Sequence, residues 1–151
     1  MFIDRRRFLI ASIAGAATLA WPAQAAQFKV FQRDGIAING IDPVAYFTEE
    51  RPVEGSKDFT LDWNGAIWLF ASAANRDEFA AMPEKFAPQY GGYCAYAVAK
   101  GYTASTDPKA WSIYEDKLYL NYSRPVRALW ALDKTGYVLK ANDNWPKVLD
   151  R

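Results

Sequence analysis

The sequence predicts an α+β fold: a small antiparallel sheet of hairpins packed with several short helices. Three observations point there. Asn64-Gly65 sits between the alternating Phe59, Leu61, Trp63 and the apolar run Ala66 to Phe70, and both turn residues can take the positive φ that a type I′ hairpin turn requires. A second pair of strand-like runs, Trp111 to Tyr114 and Leu118 to Tyr122, flanks Asp116-Lys117. The stretches between them open on helix caps and are short. They suit hairpins and single helices better than the long crossovers of a wound parallel sheet.

Taken in order, Gln27 to Ile38 reads as an opening strand with a turn at Asp34-Gly35, and Asn39-Gly40 is a further turn. Asp42 to Phe47 is a short segment whose proline favours an extended or turn entry, because the residue before a proline avoids the helical region. Arg51 to Lys57 reads as a polar loop. The return strand Ala66–Phe70 is apolar on both faces, which predicts a central position in the sheet. Ser72 caps a helix over Ala73 to Ala81, with Asn75, Phe79 and Met82 on one stripe, and Pro83 opens a short helix to Phe86. Asp107-Pro108 carries the same start signal, a cap followed by proline at the first helical position. Ser123 and Pro125 begin a helix with Val126, Leu129 and Trp130 on one face. Gly136 is expected to stop it. Tyr137 to Asp150 then forms a last amphipathic helix, broken at Pro146 and anchored by Trp145.

The first 25 residues read as an address. Arg5-Arg6-Arg7-Phe8-Leu9 has the twin-arginine pattern, an Ala- and Gly-rich apolar run follows to Ala20, and Ala23-Gln24-Ala25 offers the small residues of a cleavage site. The apolar run is shorter than the ~20 residues of a membrane span. The expectation is cleavage after Ala25, one domain over residues 26–151, a bacterial periplasmic location and no integral membrane segment in the mature chain. The whole chain carries a formal charge of +1, and losing Asp4 and three arginines brings it to about −1. No basic stripe is present to hold phosphates, which argues against nucleic acid as a partner. Aromatic residues make up 16% of the chain, enough either to stiffen a core or to line a pocket.

Chemistry is confined by composition. There is no histidine and one cysteine, Cys94, within Tyr90-Gly91-Gly92-Tyr93-Cys94-Ala95-Tyr96. A Ser-His or Cys-His catalytic arrangement is therefore impossible. A structural zinc held by four Cys or His ligands of one chain is excluded. In an oxidising compartment a lone thiol is buried, reactive, ligand-bound or paired with another chain, through a homodimer or a periplasmic thiol partner. Gly91 and Gly92 let the backbone take positive φ or approach a neighbour closely, and backbone N–H groups after such a turn could stabilise a thiolate. Two chemistries compete with plain packing. One is a redox or nucleophilic thiol, its pKa lowered by Lys100 or by backbone dipoles, that relies on an external thiol for resolution. The other is soft-metal binding, with Cu(I) the best match and Met82 the only methionine of the mature chain. Tyr46, Tyr90, Tyr93, Tyr96 and Tyr102 either line a pocket around the thiol or pack with their hydroxyls bonded. Asp42 and Asn75 either bond turns and helix ends or hold a small polar ligand.

Asp42-Pro43-Val44, Asn64-Gly65, Phe70, Ser72, Arg76, Phe79 and Pro83-Glu84-Lys85-Phe86 resemble the frame of the YHS-domain family over residues 42–86. In its metal-binding members, the resemblance implies, ligands would stand at Ala45, Ala71, Asn75 and near Phe59; here none of those residues is Cys or His. The longer runs Gln89 to Val98, Leu118 to Tyr122 and Asn144-Trp145-Pro146 resemble the periplasmic YHS-domain subgroup. Some of its members are selenoproteins, and the resemblance puts selenocysteine where Cys94 stands. It implies a YHS-like core and tolerance of redox or soft-metal chemistry at that position. The expected function is therefore thiol redox or Cu(I)-like binding centred on Cys94. The alternative is a small-ligand or partner-binding module, with Tyr46, Asn75, Tyr90, Gly91, Gly92, Tyr93 and Tyr96 as its contacts and the cysteine only structural.

Overall fold

The computed structural model describes residues 27–151; the leader expected over residues 1–25 lies outside them. The fold is α+β, with a four-stranded sheet, a separate two-stranded sheet and six short helices among the described residues.

The first strands among the described residues form a small hairpin, β1 (Gln32–Arg33) and β2 (Ile36–Ala37), closed by Asp34 and Gly35 at φ 51° and 80°. A 3₁₀ turn over Ile38–Gly40 leads to α1 (Pro43–Thr48). Its entry at Asp42 is extended, as expected, with φ −72° and ψ 112°; the helix that follows was not assigned from the sequence. Asp42 caps it by accepting the Val44 N–H at 2.9 Å, and Pro43 takes the first position, where its missing N–H and fixed φ do no harm. The other Asp-Pro pair behaves in the opposite way. Asp107 accepts the Lys109 N–H at 2.9 Å in a local turn, and the chain passes directly into a strand at Trp111, leaving no length for the helix expected at Pro108.

The main hairpin is as expected. β3 (Ser56–Trp63) pairs antiparallel with β4 (Ala66–Phe70) from Trp63↔Ala66, and Asn64 and Gly65 adopt φ 53° and 82°. The order β1-β2-β4-β3 makes β4 an inner strand, in keeping with its apolar faces. α2 (Ala73–Ala81) is capped by Ser72, whose Oγ accepts the Asn75 N–H at 3.1 Å, and α3 (Pro83–Phe86) follows. α2 buries Phe79, whose ring lies 5.1–5.4 Å from those of Trp63, Trp68 and Phe70.

The segment after Cys94 forms α4 (Ala95–Lys100), an alanine-rich helix that the sequence reading left unassigned. The second hairpin, β5 (Trp111–Tyr114) and β6 (Lys117–Leu120), turns on Glu115 and Asp116, one residue earlier than expected. α5 (Arg124–Ala131) is capped by Ser123 and buries Trp130 fully, while Leu129 is exposed and leaves the expected inward stripe. Gly136 does not stop a helix. It lies in the first turn of α6 (Lys134–Asn144), where its N–H donates to Asp133 Oδ1 at 3.0 Å and a Cβ would lie 2.1 Å from Asp133 Oδ2. The glycine serves a close N-terminal cap, an arrangement that resembles a C-terminal stop in sequence alone. A 3₁₀ turn over Lys147–Asp150 ends the chain.

Two clusters share the core. One holds Tyr46, Trp68, Phe70, Phe79 and Phe86; the other holds Tyr90, Tyr93, Val98, Trp130 and Ala141. β6 joins them by its period of two, giving Leu118 and Leu120 to the first and Tyr119 to the second. Among the described residues no helix is long and apolar enough to cross a membrane.

Candidate functional site

The chain crosses from one cluster to the other at Tyr90-Gly91-Gly92, three successive residues with left-handed backbone at φ 58°, 63° and 85°. For a tyrosine this conformation is an outlier costing about 1–2 kcal/mol. The two glycines are required by their neighbours as well as by φ. A Cβ on Gly91 would lie 1.9 Å from the Lys29 carbonyl oxygen, and one on Gly92 would lie 2.4 Å from Ile38 Cγ2. The Phe31 N–H donates to the Gly91 carbonyl at 2.9 Å, so the turn is locked against the first strand. Strained backbone of this kind concentrates at functional sites.

Cys94 lies just beyond, at the cap position of α4, and is 1% exposed. It is not sealed in hydrocarbon. Its Sγ accepts the Tyr122 N–H at 3.2 Å, and its S–H faces Asn121 Oδ1 at 3.5 Å. Asn121 is itself fully buried and also accepts the Tyr96 N–H at 3.0 Å, while its Nδ2 has no partner among the described residues. Burial raises the Cys94 pKa above its ordinary 9.0, against a smaller lowering by the backbone N–H groups of Ala97, Tyr122 and Tyr96. The backbone dipoles expected to favour a thiolate are therefore present but outweighed. Lys100, the other expected activator, places its ammonium 5.3 Å and 5.6 Å from the ring centres of Tyr96 and Tyr137. Asn121 was missed as a site residue; an amide directly after a strand with both faces buried was the available signal.

Met82 is 51% exposed at the junction of α2 and α3, and shares no hydrogen-bond partner with the buried thiol. Among the described residues no group of three or more Cys, His, Asp or Glu is placed to hold a metal ion.

Asp42 and Asn75 meet. The Asp42 carboxylate is fully buried; its Oδ2 accepts the Ala71 N–H at 2.9 Å and the Asn75 amide at 2.8 Å, while Oδ1 caps α1. Two of the positions at which the sequence resemblance would put metal ligands, Ala71 and Asn75, are thus tied to one acidic side chain. The arrangement joins α1, the end of β4 and α2.

The tyrosine hydroxyls are mostly bonded within the fold. Tyr46 donates to the Pro108 carbonyl at 2.8 Å, Tyr93 to the Phe28 carbonyl at 2.7 Å, and Tyr90 to Asn142 Oδ1 at 3.0 Å. Burial raises the pKa of all three. Tyr96 stacks on Tyr137 at 5.2 Å, and Tyr102 is exposed.

An aromatic concavity lies at the seam between the two core clusters. It is a cleft of about 370 Å³, walled by Trp63 and Trp68 from the main hairpin and by Tyr90 and Trp145 from the other side, with Lys29, Lys117 and Glu84 at its edges. Its size falls in the range of small-molecule sites. The Trp68 indole N–H is used on the Trp63 carbonyl at 3.0 Å. Of the residues expected to contact a ligand, Tyr90 and Gly91 line this cleft. Cys94, Tyr46, Asn75, Gly92, Tyr93 and Tyr96 do not. No protein-family model, curated protein or solved structure matches this chain.

Proposed function

We propose that this protein is a periplasmic, YHS-like small-ligand-binding module whose site is the aromatic cleft, with Cys94 a packed structural thiol. One contrast carries the reading: the concave aromatic surface lies at the Trp63/Trp145 seam, while the only thiol is 1% exposed and held as S–H by its burial. The strained Tyr90 and the tightly packed Gly91 form part of that surface and hold its shape. The Asp42–Asn75 linkage supports a YHS-like frame whose ligand region serves as a polar clamp. The leader motifs support export.

The test is an NMR titration of the ¹⁵N-labelled protein with indole as a flat probe. Saturable shifts confined to Trp63, Tyr90, Gly91 and Trp145, and retained in Cys94→Ala, are expected. Shifts centred on Cys94 and Asn121, or none that saturate, would overturn the reading.

Thiol redox at Cys94 is kept as a second reading by the unpartnered Asn121 amide and the N–H bond to sulfur. It requires the thiol to react without global unfolding. A maleimide labelling rate in native buffer that is insensitive to stabilising osmolyte would support it.

A further inference from the structure

We infer that the ligand of this cleft is a flat molecule carrying an anionic group, an aromatic or heteroaromatic carboxylate in chemical class. This rests on the cleft being the binding site. Flatness follows from the walls. Trp63 and Trp145 are both half-buried and come from the two sides of the seam, each packed against a second lining ring: Trp68 at 5.7 Å from Trp63, Tyr90 at 6.1 Å from Trp145. Aromatic side chains packed against one another in this way hold their orientation, and four of them around one cleft favour a planar group.

The anionic group follows from the cations. Lys29 and Lys117 both line the cleft, against the single carboxylate of Glu84. The ion pairs among the described residues are Arg51–Glu49 and Arg76–Asp77, so neither lysine is neutralised by a carboxylate within 4.0 Å. Among the described residues Lys85, Lys100, Lys134 and Lys140 lie over aromatic rings, while Lys29 and Lys117, like Lys57, Lys109 and Lys147, have neither kind of contact; what sets Lys29 and Lys117 apart is that they line the cleft. Two lysines without a carboxylate partner among the described residues, beside a partly apolar cleft with one carboxylate, create a local positive potential that attracts an anion.

Three probes separate the terms: indole-3-acetate is flat and anionic, indole-3-acetamide is flat and neutral, and acetate is anionic without a ring. Trp63 and Trp145 side-chain shifts report binding at low salt. The acid is expected to bind about five- to tenfold tighter than the amide, within reach of two partly exposed ion pairs, and acetate is expected not to saturate. Lys29→Gln with Lys117→Gln, surface changes that leave the core intact, should bring acid and amide to within about twofold, as should high salt. Equal affinity of acid and amide for the unmodified protein would overturn the anionic class while leaving the cleft in place. Acetate binding as tightly as indole-3-acetate would overturn the planar requirement. Failure of all three to shift Trp63 or Trp145 would remove the cleft itself, and this inference with it.

Discussion

Replacing Asp42 with alanine removes one buried carboxylate and breaks three bonds that join three elements. The Val44 N–H loses its helix cap, an effect of about 1 kcal/mol. The Asn75 amide loses a charged acceptor at 2.8 Å, about 1.5–3 kcal/mol for a bond of that kind. The Ala71 N–H loses its acceptor too, but Ala71 is exposed, so water replaces much of that bond. The expected loss is about 3–4 kcal/mol, a large share of the ~5–15 kcal/mol typical of a domain. Asn75→Ala alone should lose about 1–2 kcal/mol, and the double variant should lose about 1–2 kcal/mol less than the sum, because the two side chains share a bond. Urea unfolding followed by tryptophan fluorescence measures all three, with an unchanged slope on denaturant as the check on two-state behaviour. A loss below about 1 kcal/mol for Asp42→Ala, or strict additivity with Asn75→Ala, would refute the clamp.

Gly91→Ala should destabilise by more than about 3 kcal/mol, since its Cβ meets the Lys29 carbonyl and its φ is 63°. Gly35→Ala, with φ 80° and open space around it, should lose only about 1–2 kcal/mol in the same urea experiment. Maleimide labelling of Cys94 should be at least about 100-fold slower in native buffer than in urea, as for a group reached only by opening; comparable rates would contradict its burial. Stability should fall as pH rises from about 9 toward 12. Burial raises the folded pKa of Cys94, Tyr46, Tyr90, Tyr93 and Tyr119 above their ordinary 9.0 and 10.0, so the unfolded chain loses those protons first. Tyr46→Phe should flatten that alkaline decline, measured as urea midpoints from pH 8 to 11, and an unchanged slope would contradict the assignment for Tyr46.

Much of the fold was legible because local rules and packing agree. Asn64-Gly65 and the runs flanking it specify a hairpin by turn chemistry and alternation alike, and Ser72 and Ser123 cap the helices they announce. The errors arose where one local signal serves two geometries. Asp-Pro opens a helix at position 42, where α1 has room to run, and only a turn at 107, where a strand follows at once. Gly136 fits a helix end by composition, and only the close approach of Asp133 assigns it to a beginning. α4 was unreadable because it is six residues long and half alanine, with most of its residues buried. The site was legible in part. Tyr90 and Gly91 stood out as a turn, but the facing wall comes from Trp63 and Trp68, more than twenty residues earlier, and Tyr90's own side is completed by Trp145, more than fifty later. No spacing rule connects those segments. The thiol stood out by rarity, which says nothing of its exposure.

The Tyr90–Gly92 turn has no slack, because its glycines already rest against the Lys29 backbone and the Ile38 side chain. One wall of the cleft is consequently set when the chain folds, before any guest arrives. A molecule entering it has little ordering of the host to impose, so its capture resembles seating in a rigid mould rather than closure of a lid. Association there should run at the pace of encounter, and discrimination among guests should appear in how long they stay.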